Sequence, residues 1–347
     1  MTSGAGTTRA ACYVGRRTLS IVETEPRSPG DGEVTIDVAY TGICGTDLHI
    51  LHGAMDARVT LPAVLGHEMS GTIAAIGNGV QGWSVGERVT VMPLAPCGDC
   101  PACRAGYSHI CHNLDFLGID SPGSMQSRWN VSEDVLVAVP AALSLEHAAL
   151  AEPTAVAVHD VRRAALAKGE RALVVGGGPI GLLVACAARA RGADVVVVEP
   201  AERRRALAQS VGLRAIDPTG VDVQALVTDW TDGAGAEVAF EVSGAVAGIE
   251  TAIQSLGVRG RIVVVAIHAT PPPVNLFRVF WRELTLIGAR VYERPDFEEA
   301  VNLLETGAIP SAELITRIEP LEAVAAAFAE LESGLAMKVL IDCRTGC

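Results

Sequence analysis

Within "YTGICGTDLHI", residues 40 to 50, four chemically capable side chains fall inside six positions: Cys44, Thr46, Asp47 and His49. A thiolate is a nucleophile or metal ligand, and an imidazole exchanges protons near neutral pH. A core strand has no use for either. Two further stretches carry groups of the same kind. "LGHEMSG" supplies His67 and Glu68, and "LAEPTAVAVH" supplies Glu152, a carboxylate among apolar neighbours that is expensive to bury unpaired. Cysteine, histidine and a carboxylate with a fourth position open make up a catalytic zinc site. Their separation in the chain leaves convergence undecided. Taken singly, Cys44 reads as a buried hydrophobe, His67 as a core histidine and Glu152 as a helix N-terminal acid.

A second cysteine group is local. "CGDCPACRAGYSHIC" spaces Cys97, Cys100, Cys103 and Cys111 as C-x2-C-x2-C-x7-C. Four thiolates complete a tetrahedral zinc shell, which makes a structural rather than a catalytic site. Two disulfides suit neither a reducing compartment nor the short spacings. An iron–sulfur cluster could use the same ligands, though a redox relay has no obvious place here. His109 and His112 flank Cys111 as competing ligands.

The third motif is Gly176, Gly178 and Gly181 in "VVGGGPIG", which follows an apolar run and opens a helical one. A second apolar run ends at Glu199, 18 residues past the last glycine. That context is the dinucleotide fingerprint: glycines for the turn, the pyrophosphate approach and helix packing, and an acid for the ribose hydroxyls. Glu199 would repel a 2′-phosphate, so NAD is expected over NADP. An arginine of "ERRR" (202–205) could stack on adenine or, as the lesser alternative, recruit that phosphate.

These groups need a scaffold of about two domains, since the chain has 347 residues and domains average ~150. Residues are 49% apolar and 19% charged, enough for a sizeable core, and the net charge of −13 disfavours nucleic acid or an anionic membrane as partner. No apolar run reaches the ~20 residues of a membrane helix, and the small, polar N-terminus lacks a signal-peptide core, so a cytoplasmic location is expected. Its first eight residues read as an unstructured tail. Short β segments punctuated by glycine over residues 10–150, such as "EVTIDVAY" and "ERVTVMP", predict a mostly antiparallel β-domain. From about residue 155, continuous apolar strands ("RALVVG", "DVVVVE", "AEVAFEV", "GRIVVVAI") alternate with helices, predicting a parallel sheet covered on both faces. Helices at 296–306 and 320–333 and a last strand "KVLID" are expected to return to the first domain. The expected division is 1–154 with 290–347, holding a zinc lobe at 94–114, and 155–289 for the cofactor.

At "GICGTDLH", "GHE", the four-cysteine lobe, "EPTAVAVH", "GGGPIG" and "KVLI" the chain resembles the zinc-dependent medium-chain alcohol dehydrogenases, from about residue 10 to 342. It looks most like their polyol and vicinal-diol branch, which includes sorbitol, butanediol and threonine dehydrogenases. The resemblance implies an α/β fold: a GroES-like, mostly antiparallel catalytic domain plus a doubly wound Rossmann domain. It implies two zinc ions per chain, with Cys44, His67 and Glu152 on the catalytic one, Glu68 able to approach or exchange, and Asp47 orienting His67. A secondary alcohol would lose its proton through Thr46, the nicotinamide ribose and His49, while hydride passes to NAD and a ketone forms. Pro179 and Ile180 join the glycines, Arg204 lies by the adenosine ribose, and Val265, Ala266 and Ile267 line the nicotinamide. A homodimer or homotetramer is expected. One departure concerns the arginine that sorbitol dehydrogenases place directly before a tyrosine: here Val291 holds that position, and Arg290 lies one residue earlier. Competing readings are an amino-alcohol dehydrogenase of the threonine kind, a zinc-free reductase of the quinone reductase kind, and a catalytically silent zinc- and dinucleotide-binding protein.

Overall fold

The computed structural model describes residues 7–344. The chain forms two units, Met1–Glu152 with Leu314–Cys347, and Pro153–Glu313.

The first unit is built on a sheet in the strand order Leu136–Ala138, Arg88–Val91, Glu68–Ile76, Glu33–Gly42, Lys338–Asp342, Ile315–Pro320, with Arg128–Ser132 also pairing with the Glu33 strand. All of these pairings are antiparallel except that of the last two strands in the order, Lys338–Asp342 and Ile315–Pro320. The ten-residue Glu33–Gly42 strand is buried along most of its length, because it has strand neighbours on both sides. The C-terminal strand therefore completes the N-terminal domain, as its apolar run suggests. The expected eight-residue tail stops short of Thr8, which opens the strand Thr8–Tyr13; residues 1–6 lie outside those described.

The second unit holds six parallel strands in the order Arg214–Ile216, Asp194–Val198, Arg171–Val175, Ala236–Glu241, Leu256–Val264, Thr285–Gly288. In chain order this is 3-2-1-4-5-6, the doubly wound arrangement whose order reverses beside the first strand and opens a crevice there. Leu173, Val196, Ala239 and Ile262 fill its core with residues of the flanking helices such as Ile249 and Ile253. No helix of the described residues is long and apolar enough to cross a membrane.

The return to the first unit comes at Leu314 rather than at 290. The reason is a buried polar knot. The helix Arg294–Glu305 is tied to the helix Ala151–Arg163 through Asp296, which lies 2.8 Å from His159 Nδ1 and 2.8 Å from Arg162 Nε. Residues 290–313 thus stay with the parallel sheet.

Candidate metal centres and cofactor cradle

Cys44 stands at the N-cap of the short helix Gly45–Leu51. Its backbone N–H donates to Asp47 Oδ2 at 2.9 Å, so Asp47 closes the helix start and fixes the thiol. Thr46 Oγ1 lies 3.8 Å from Cys44 Sγ. His49 is exposed and shares the Thr46 side of the helix, three residues on.

His67 and Glu68 come from the loop and strand start opposite Gly42, the residue paired with Glu68. A Cβ at Gly42 would lie 2.2 Å from Glu68 Oε2, so only glycine leaves room for this carboxylate. Ligand atoms of Cys44, His67 and Glu68 all lie within 4.8 Å of one another. His67 Nδ1 faces Asp47 Oδ1 at 3.7 Å, too long for a hydrogen bond, and both buried atoms lack one among the described residues. Asp47 therefore supports His67 as a nearby charge. Phe116 packs edge-on against the imidazole at 5.3 Å between centroids.

The structure thus gathers Cys44 and His67 as expected, but the carboxylate it sets among them is Glu68. Glu152, buried in the first turn of the helix Ala151–Arg163, stands outside that trio, although its charge bears on both His67 and Lys338. The physical reason is register: Glu68 directly follows His67, whereas Glu152 arrives on a separate helix.

Lys338 is the residue that sequence reasoning passed over. It is buried, and its Nζ donates to Glu68 Oε1 at 2.8 Å and Oε2 at 2.5 Å and to Ile43 O at 3.2 Å. The available signal was a lysine inside the apolar closing strand. Burial opposes its charge, but Glu68, Cys44 and Glu152 outweigh that and hold its pKa above the usual lysine value. Burial likewise disfavours charge on His67, yet Asp47, Cys44 and Glu152 raise its pKa well above the ordinary histidine value. The centre is electronegative and favours positive charge, which fits a divalent cation held by these ligands.

In the cysteine lobe the sulfur separations are 3.4 Å (Cys97–Cys111), 3.5 Å (Cys100–Cys103) and 3.7 Å (Cys100–Cys111). Disulfide sulfurs sit near ~2.05 Å, while a zinc tetrahedron with bonds of ~2.3 Å has edges of about 3.8 Å. The cysteines are free and the spacing fits an ion. Backbone N–H groups of His112 and Asn113 donate to Cys100 and Cys111. Such bonds, from Cys103 and His112 foremost, lower Cys100 to about 6, whereas burial pushes Cys103 up to about 12.

In the second unit Gly176 has φ +110°, a left-handed value that favours glycine, and a Cβ on Gly181 would meet Gly176 O at 1.9 Å. Gly178 caps the helix Pro179–Ala190, with Pro179 in its first turn and Ile180 following. These residues fit a pyrophosphate at a helix N-terminus. A cavity of about 340 Å³ adjoins them, lined by Gly176, Gly178, Glu199, Arg204 and Ser243 among others. Glu199 Oε2 accepts from Gly177 N–H at 2.7 Å and Oε1 from Ala201 N–H at 2.8 Å, and Arg204 Nη1 lies 3.8 Å away. Val265, Ala266 and Ile267 follow the strand Leu256–Val264, and Val265 and Ala266 donate to Glu241 O. Glu241, also passed over, is fully buried; Oε1 accepts from Ser243 and Gly244, and Oε2 lies 2.9 Å from His268 Nε2. It braces two loops at the crevice, and its signal was an acid inside "AFEVSG".

Residues 30–141 match the alcohol dehydrogenase GroES-like domain, and residues 179–306 the zinc-binding dehydrogenase domain. The chain is 49% identical to a 2-dehydro-3-deoxy-L-galactonate 5-dehydrogenase of Pseudoalteromonas atlantica, over 96% of this chain and 98% of that one. A sorbitol dehydrogenase of Halalkalibacterium halodurans is 34% identical over 93% and 95% of the two chains. The crystal structure of 2R,3R-butanediol dehydrogenase from Bacillus subtilis superposes with a TM-score of 0.89 at 31% identity, covering 98% of this chain and 100% of that one. With both domain models matched in order and a relative aligned almost end to end, the chain is an enzyme of the zinc-dependent alcohol dehydrogenase family.

Proposed function

We propose that the protein oxidises a secondary hydroxyl of a polyhydroxylated small molecule to a ketone with NAD. The observation that carries this is the convergence of Cys44, His67 and a buried carboxylate beside the Thr46 hydroxyl. Relatives named for sorbitol, xylulose and a galactonate derivative support the substrate class.

Cys44 and His67 with Glu152 would hold the catalytic zinc. Glu68 is close enough to serve, but Lys338 engages both of its oxygens, so it already carries a counter-charge. When bound, zinc polarises the substrate hydroxyl and the nicotinamide accepts hydride. Thr46 takes the hydroxyl proton, and His49, one turn on and exposed, releases it to solvent. Asp47 fixes Cys44 through its backbone N–H and lends its charge to His67. Cys97, Cys100, Cys103 and Cys111 would hold the second zinc, which anchors their loop. Glu199, with one oxygen on the Gly177 amide, presents negative charge where a 2′-phosphate would lie, which supports NAD. The free thiols suit the cytoplasm.

Self-association as a homodimer or homotetramer is part of the same proposal. Phe277, Phe280 and Trp281 are 69 to 75% exposed, and among the described residues the strand Thr285–Gly288 is an open sheet edge. An apolar face beside an unpaired edge favours a second copy related by a twofold axis. Light scattering on the purified chain should give at least a dimer.

The deciding experiment is a panel of alditols, vicinal diols, sugar acids and amino alcohols followed by NADH absorbance. Oxidation of polyhydroxylated secondary alcohols, abolished by chelation and restored by zinc, is the expected result. Turnover restricted to amino alcohols, or undiminished without zinc, refutes the proposal.

A further inference from the structure

The strand Ala236–Glu241 ends in a charge where packing calls for none. Glu241 is paired with Val175 on one side and Val264 on the other and is fully buried. A carboxylate alone in such a place would be expensive. Its two oxygens serve two different loops. Oε1 accepts from Ser243 N–H at 2.9 Å and from Gly244 N–H at 3.0 Å. Oε2 lies 2.9 Å from His268 Nε2, and since a carboxylate only accepts, that nitrogen carries the proton. The helix Val246–Ser255 makes room for this at Gly248, where a Cβ would lie 2.9 Å from Oε1 and closer still to Ser243 Oγ.

Both loops leave the carboxyl ends of parallel strands, where doubly wound sheets bind their ligands. Ser243 abuts the glycine turn: a Cβ on Gly176 would lie 2.9 Å from its nitrogen. It also lines the cavity shared with Gly178 and Glu199. The second loop is pinned on either side of Ile267. Val265 and Ala266 N–H donate to Glu241 O, and His268 is held by Oε2. Ile267 between them is 88% exposed, an apolar side chain presented on an anchored backbone.

We infer that Glu241 is a positioning residue for the cofactor, and that His268 carries its hold to the loop meeting the nicotinamide. The inference rests on reading Val265 to Ile267 as the nicotinamide lining. A carboxylate that only closed the Ser243 turn would need one oxygen. The second oxygen, bound to a side chain 27 residues further on, joins the adenosine-side loop to the nicotinamide-side loop through one rigid group.

The test titrates the purified, zinc-replete protein with NADH and with AMP, which has no nicotinamide. His268→Leu should weaken NADH about 5- to 20-fold and leave AMP within about twofold. His268→Gln, which returns an N–H donor near the place of Nε2, should recover most of that loss. Glu241→Gln should weaken both ligands, because it disturbs the Ser243 loop as well. A pair with a merely structural role would lower the unfolding temperature without separating NADH from AMP. The inference is overturned by normal NADH affinity in His268→Leu or Glu241→Gln, by equal losses of NADH and AMP in His268→Leu, or by a His268→Gln protein no better than His268→Leu. Ile267→Asp, at an exposed position, tests the lining separately and should weaken NADH but not AMP. If it does so while His268→Leu binds normally, the inference alone fails. If Ile267→Asp leaves NADH untouched, the reading of the loop fails and takes the inference with it.

Discussion

The two cysteine-bearing centres of the first unit solve the same problem in opposite ways. The lobe at Cys97–Cys111 draws four like thiols from one loop and steadies them with its own backbone N–H groups. The Cys44 centre gathers unlike groups from a helix cap and a distant strand start, Cys44, His67 and Glu68, and borrows charge from Asp47 and Lys338. A closed shell from contiguous chain only holds an ion. A mixed shell assembled at long range leaves one position open and can be tuned by its neighbours.

The sharpest way to break this contrast is Cys44→Ser. It should lower kcat/KM on the order of 10⁴-fold, since several kcal/mol of hydroxyl polarisation are lost, while elemental analysis still finds one zinc per chain of the expected two. Loss of both ions would show that the lobe does not stand by itself.

Lys338→Met comes next. It strands the buried Glu68 carboxylate and should destabilise the fold by about 3–5 kcal/mol, measured as a shift in the urea midpoint. Adding Glu68→Gln should recover most of that; a double variant no better than the single one would show that the pair is not the source.

Asp160 offers the opposite case, a buried acid with no borrowed counter-charge. Neither carboxylate oxygen has a hydrogen-bond partner among the described residues, and burial, then the nearby Asp296 charge, raises its pKa well above the usual value. Because the folded pKa lies above the unfolded one, the group does not destabilise the fold below about pH 4. It does so increasingly as pH rises toward the folded pKa, by about 1.4 kcal/mol per pH unit. Asp160→Asn should therefore match wild type in acid and exceed it by about 1–3 kcal/mol at pH 7, measured as unfolding free energy against pH. A difference independent of pH would assign the effect to packing.

The smallest effect is expected at Glu199→Ala, which should weaken NAD about tenfold relative to NADP, read from the ratio of kcat/KM values. An unchanged ratio would mean that its two backbone hydrogen bonds are its whole role.

The linear chain by itself determined whatever depends on near neighbours. The spacing of Cys97, Cys100, Cys103 and Cys111, the glycine turn at 176–181 with Glu199, and the change from punctuated to continuous apolar strands near residue 155 are all set within a few turns of backbone. Short-range sterics and hydrophobic period suffice to read them. Tertiary structure alone decided which groups from distant positions share one dielectric environment. Glu68 rather than Glu152 beside Cys44 and His67, Lys338 against Glu68 across 270 residues, and the retention of 290–313 by the parallel unit through Asp296 all follow from register and burial. The energy of a buried charge depends on what lies within a few ångströms of it, and separation along a sequence carries no information about that distance.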